Sequence, residues 1–228
     1  MPFSMQGLGQ FSPKLGDGDA TRSESVAVQM SLANGVGSGR ANGYWSKTLT
    51  LAAGQDETID LLSLPVSAFG ASGATALASV KHLVVLNQSQ MVRIIVEPGA
   101  SNGWEELGSM VVSLGGLLVI HAPVDGLGVG PSSRTVRIAN DAALPSVTEG
   151  DTTLGSANLI GLPSTTGLVP GMTVSGTGIP SGTKIASVAS GTSVVLTAPA
   201  TATVSGGSIT FAWPDAVVRV YIAGDLDP

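Results

Sequence analysis

The chain contains no cysteine, which excludes disulfides, thiolate metal sites and cysteine nucleophiles. Only 11% of its residues are charged, against about a quarter in an ordinary soluble protein. Aromatic residues are equally sparse at 4%, and histidine occurs twice. No apolar run approaches the roughly eighteen residues that a membrane-spanning helix needs. The segment Met1-Pro2-Phe3-Ser4-Met5-Gln6 has neither the charged start nor the continuous apolar stretch of a secretory signal. These absences lead us to expect a soluble product, made in the cytoplasm, without membrane contact and not exported by the classical route. Ten Lys and Arg are scattered without a cluster, the net charge is −6 and the pI is near 4.7. A direct nucleic-acid binder shows a basic patch or stripe, so direct nucleic-acid contact is not expected.

What the chain does have is 43% apolar residues and 31 glycines in 228 positions. Low hydrophobicity and high charge mark disorder, and this composition is the reverse. It describes an ordered β-protein with a neutral Ser/Thr/Gly surface suited to an oligomer. Alternation of apolar and polar residues predicts a half-buried strand over Ser25–Leu32, with Val26, Val28, Met30 and Leu32 on one face. Thr48–Leu51 and Glu57–Leu62 read as strands around a turn, and Leu64–Ala78 as a loop with one helical turn. Val80–Asn87 is apolar on both faces, which is how a central strand is written. Met91–Glu97 turns Val92, Ile94 and Val96 inward. Met110–Leu114 and Leu117–His121 flank Gly115-Gly116 and read as a hairpin. Arg134–Ala139 points Val136 and Ile138 inward, and Val217–Ala223 does the same with Val218, Val220 and Ile222.

Eight or nine short strands without an amphipathic helix predict an all-β fold, a sandwich, jelly roll or barrel rather than a βαβ sheet. Between Thr148 and Ala212 the chain becomes a run of Gly, Thr, Ser, Val and Ala, with Gly171-Met-Thr-Val-Ser-Gly-Thr-Gly-Ile-Pro-Ser-Gly-Thr183 at its centre. Four to six short β-branched runs, cut by Pro170, Pro180 and Pro199, make this a small β-module inserted before the closing strand. The expected organisation is therefore an N-terminal arm at 1–24, a sandwich from 25–147 plus 213–228, and an inserted module at 148–212. Replacing 149–212 by a short turn is expected to leave the sandwich folded.

Chemistry-bearing motifs are few. His82 lies within an apolar strand and His121 ends another; neither has a second histidine at ligand spacing in sequence, and both read as structural. Asp17-Gly18-Asp19 and Asp225-Leu226-Asp227 read as solvated turns, because a calcium loop needs a longer series of oxygen ligands. Glu105 and Glu106, beside Trp104, are neighbours on an extended chain and face opposite ways, so they do not form a facing catalytic pair. Gly37-Ser38-Gly39-Arg40 lacks the Gly-Lys-Ser/Thr ending of a phosphate loop. Asn87-Gln88-Ser89 fits the glycosylation acceptor pattern. No catalytic, cofactor or metal residues are assigned, and no enzyme activity is expected. Arg93, Arg137 and Arg219 each sit opposite the apolar face of their strand and are candidate subunit contacts, through guanidinium forks. A solvated or intramolecular ion pair is the alternative for each. Tyr44 and Trp45, beside the Gly-rich loop, are the candidate stacking residues for a glycan or partner.

Val80-Lys-His-Leu-Val-Val-Leu-Asn-Gln-Ser, then Gly115-Gly-Leu-Leu-Val-Ile-His-Ala-Pro, then Thr135-Val-Arg-Ile-Ala-Asn before the terminal Val217-Val-Arg-Val-Tyr-Ile-Ala-Gly224, together resemble small structural proteins of tailed bacteriophages. The Gly/Thr-rich insertion is similar to a short β-repeat of phage structural and bacterial surface proteins. The resemblance implies a jelly-roll-like antiparallel β-sandwich and a virion location, on the capsid surface, as a decoration or cement protein. It also implies the major capsid protein or other virion proteins as partners and a homo-oligomer, with a trimer favoured. A tail, neck or fibre-associated component and a carbohydrate-binding module are the alternatives.

Overall fold

A computed structural model describes residues 3–11, 24–35, 37–64, 67–68, 71–72, 76–143 and 146–226. Among these residues there is no helix, and the protein is all-β. In chain order the strands are β1 (Phe3–Phe11), β2 (Glu24–Asn34), β3 (Arg40–Ala41), β4 (Gly43–Leu51), β5 (Asp56–Asp60), β6 (Ser67–Ala68), β7 (Ala71–Ser72), β8 (Leu77–Asn87), β9 (Ile94–Pro98) and β10 (Met110–Val112). They continue with β11 (Leu117–His121), β12 (Leu127–Gly128), β13 (Thr135–Asn140), β14 (Ser146–Thr152), β15 (Asn158–Leu159), β16 (Thr173–Gly176), β17 (Ile185–Ser190), β18 (Ser193–Leu196), β19 (Val204–Ala212) and β20 (Ala216–Leu226).

Two sheets form the sandwich. One runs β11-β8-β20-β4 and continues into the short β6 and β7; the other runs β10-β9-β13-β5. Their facing side chains build one core of Leu49, Leu83, Val85, Val218, Val220 and Ile222 against Ile59, Ile94, Val96, Val136 and Ile138, with Trp104 fully buried. The alternation expected for Met91–Glu97, Arg134–Ala139 and Val217–Ala223 is the inward set found. Val80–Asn87 is a central strand, flanked by β11 and β20.

The expected hairpin at Gly115-Gly116 does not form. β10 pairs with β9 and β11 pairs with β8, in opposite sheets. Gly115, at φ +62, turns the chain across the sandwich rather than back on itself. Buried Asn87 holds this corner: its Nδ2 donates to the carbonyls of Val92 (2.9 Å) and Ser113 (3.0 Å), and its Oδ1 accepts from the Ser89 amide (3.0 Å). That side chain is fully committed inside the protein, so Asn87-Gln88-Ser89 is not a glycan acceptor in the folded state. Leu77, expected to lie in a loop with a helical turn, begins β8 instead.

Residues 3–11 were expected to be part of an extended arm. Their backbone instead pairs antiparallel with β2 over its whole length, from Phe3↔Leu32 to Phe11↔Glu24. Pairing satisfies backbone N–H and C=O groups along both strands. β2 then pairs parallel with β3. Leu32 and Ala41 pack with Ala223 and Tyr44 on the outer face of the first sheet. Asp17-Gly18-Asp19 and Asp227 lie outside the described residues.

The Gly/Thr-rich segment folds as two three-stranded sheets, β14-β19-β16 and β15-β18-β17. They enclose a second core of Leu159, Leu162, Val174, Ile185, Val194 and Phe211. Its first strand starts at Ser146, opposite Phe211, two residues before the boundary read from sequence. Trp213 packs against both cores. Replacing 146–212 with a short Gly-Ser turn is expected to leave a soluble sandwich with a single cooperative urea transition, followed by far-UV circular dichroism. Loss of that transition would show that the second core supports the first.

Candidate functional site

The most concentrated polar chemistry lies on the outer face of the first sheet, around the start of β8. The β8–β20 register shifts between Ala223↔His82 and Gly224↔Val80, a bulge of the kind that re-aims side chains. Gly224 is required there, because a Cβ would drive into the Ser79 carbonyl. Lys81, the extra residue of the bulge, and its neighbour His82 are both buried, at 1% and 5% exposure.

Lys81 is the more expensive of the two, since an ammonium taken out of water needs partners for all three donors. It has them. Nζ donates to the carbonyls of Gly37 and Arg40 (the latter at 2.8 Å) and pairs with Asp225 at 3.0 Å. The Gly37-Ser38-Gly39-Arg40 loop, which lacks the ending of a phosphate loop, is thus a carbonyl cradle for an internal cation. Gly39 is further held by its amide donating to the Pro123 carbonyl at 2.7 Å. One buried charge therefore ties the β2–β3 connection onto the sandwich. Sequence reading missed Lys81. The available signal was a lysine inside an otherwise apolar central strand, where charge is tolerated only when paired.

His82 and His121 are directly opposite each other in the β8–β11 ladder, with ring centroids 4.1 Å apart and planes tilted by 57°. No second histidine was visible at ligand spacing in sequence, because the pair is made by strand register across nearly forty positions. Burial first, and then the neighbouring His121, lower the His82 pKa from 6.5 to about 4. Its Nε2 is buried without a hydrogen-bond partner among the described residues, and His121 is exposed.

The arginine candidates resolve differently. Arg137 donates to Asp56 (3.1 Å) and to Glu97, on the strands either side of it. These bonds, Asp56 first, raise its pKa. Arg93 pairs with Asp141 at 2.8 Å. Both form intramolecular pairs, the alternative weighed from sequence. Arg219 is exposed, with its guanidinium 5.0 Å from the Tyr221 ring centroid. Trp45 does not present a stacking face: it is 8% exposed and belongs to the sandwich core. Adjacent strand residues face opposite ways, so Tyr44 lies on the other side, half-buried under Leu32 and Ala41. Trp104 is also internal, its indole donating to the Gly128 carbonyl at 2.8 Å, while Glu105 and Glu106 are exposed. Trp213 is half-buried, as are Tyr44 and Tyr221. Of these, Trp213 borders an apolar groove of about 510 Å³, which it lines with Met91, Leu114, Ala142 and the Arg93–Asp141 pair.

Removing one partner of a buried pair costs about 3–5 kcal/mol, while replacing both by apolar residues is often neutral. Lys81→Met is therefore expected to destabilise the protein by about 3 kcal/mol in urea titration, and Lys81→Met with Asp225→Leu by clearly less. For His82, the unfolded chain binds a proton between pH 6.5 and about 4 that the folded state does not. Stability must therefore fall as pH falls through that window and be unaffected above it. Comparison with His82→Gln isolates the effect from the carboxylates; the wild type should lose on the order of 2 kcal/mol more between pH 7.5 and 4.5. No protein family, curated protein or solved structure matches this chain.

Proposed function

We propose that this protein is a non-enzymatic structural component of a tailed-phage virion, a decoration or cement protein on the capsid surface. The observation that carries the reading is strand order. The eight principal strands, β4, β5, β8, β9, β10, β11, β13 and β20, can be numbered one to eight in chain order. One sheet is then first-eighth-third-sixth and the other second-seventh-fourth-fifth. We read this interleaving as the two Greek keys of a jelly roll, the fold implied by the resemblance to phage structural proteins. Onto that core the chain adds a second β-unit between β13 and β20, and an N-terminal β1–β2 ribbon whose β1 edge has no neighbour among the described strands. Such an edge offers backbone groups for strand addition by another chain.

A cement protein binds the assembled lattice and not its free subunits, so it stabilises the shell by mass action. A chain with few charges, with Arg93 and Arg137 paired internally, suits contacts that salt does not weaken. The partners are the major capsid protein or other virion proteins, and a homotrimer fits sites of three-fold symmetry. A tail, neck or fibre position is the alternative. Trp45, the best stacking candidate for a carbohydrate-binding alternative, is buried in the core and offers no stacking face.

Cryo-electron microscopy of purified particles tests the placement. Many copies distributed over the icosahedral shell are expected. Density confined to one vertex would replace decoration by a neck or tail role, and absence from the particle would overturn both.

A further inference from the structure

The chain has two histidines, and the fold sets them directly opposite each other in one antiparallel ladder. We propose that His82 and His121 form a binding site for a divalent transition-metal ion, with Cu(II) or Ni(II) preferred over Zn(II). The site goes beyond the structural role proposed above and does not depend on it.

Geometry supports the metal preference. With metal–nitrogen bonds of about 2.0 Å, two imidazoles at a cis angle near 90° have centroids about 4.5 Å apart. At a tetrahedral angle they are about 5 Å apart. The observed separation of 4.1 Å lies nearer the first, which is the tetragonal arrangement of Cu(II) and Ni(II). An ion would need the rings to open by only a few tenths of an ångström, and β11 is an edge strand with freedom to give.

The chemistry of the donors agrees. Metals take imidazole through a ring nitrogen that carries no proton. The buried His82 side chain leaves Nε2 without a hydrogen-bond partner among the described residues, an unsatisfied state that a metal bond would relieve. His121 is exposed, so the ion reaches the pair from solvent, and water completes its coordination. The nearest buried cation, the Lys81 ammonium, is already engaged by Gly37, Arg40 and Asp225. On the far side of His82 the β20 neighbour is Ala223, which carries no charge.

The test uses full-length protein without a polyhistidine tag, titrated with Cu(II), Ni(II) and Zn(II) by calorimetry. One Cu(II) per chain is expected, bound more tightly than Zn(II), with nitrogen hyperfine structure from two imidazoles in the Cu(II) electron paramagnetic resonance spectrum. Because His121 is exposed, His121→Ala should fold normally by circular dichroism and weaken Cu(II) binding at least tenfold. It should also abolish the Cu(II)-dependent rise in melting temperature. His121→Asn serves as a second variant should the alanine form fold poorly. No Cu(II) binding by the wild type, affinity unchanged in a folded His121 variant, or a spectrum with a single imidazole would each overturn the proposal.

Discussion

The structure depends on one placement: β20, the last strand, lies in the middle of its sheet, hydrogen-bonded to β4 on one side and β8 on the other. Val218, Val220 and Ile222 from this strand fill the centre of the main core. Until it docks, β4 and β8 have no common neighbour and the facing sheet lacks the side chains that fill the centre of the core. The sandwich is therefore completed only when the C-terminal residues return, a long-range pairing whose cost is loop closure.

The inserted module is compatible with this because its ends meet. β14 and β19 pair from Ser146↔Phe211 onward, so more than sixty residues leave and re-enter the sandwich at neighbouring points. The module carries its own core, and the closing strand starts at Ala216 as if after a short loop. Trp213 sits at the junction and touches both cores. The outer face has a comparable fastening in Lys81, whose three donors bind two loop carbonyls and Asp225. A neutral side chain there would leave both carbonyls without that donor. A free ammonium would be too costly to bury, so lysine and cradle need each other.

Alternation carried most of the fold in advance. Val92, Ile94 and Val96, like Val218, Val220 and Ile222, read as inward faces because a strand turns successive side chains to opposite sides. The second β-unit was legible from its Gly and Pro punctuation. Pairing partners were less accessible: Gly115-Gly116 has the look of a tight hairpin, yet the strands on either side join different sheets. Nothing local distinguishes a turn that doubles back from one that crosses a sandwich. Tyr44-Trp45 misled in the same way. A tryptophan beside a Gly-rich loop resembles a binding platform until the strand is given a face, and the face given to Trp45 is the core.

By itself, then, the sequence determined that this protein is all-β, that its strands are short and two-faced, and that a second β-unit interrupts the first. Those properties are local, written in side-chain period and turn residues. Only the tertiary structure decided which strands are neighbours, and with them every polar arrangement of interest. His82 meets His121, and Lys81 meets Asp225 and the Gly37–Arg40 carbonyls, across separations in sequence that no periodicity encodes. Those pairings are fixed by sheet order and register, which are settled by burying the inward faces of the whole domain at once.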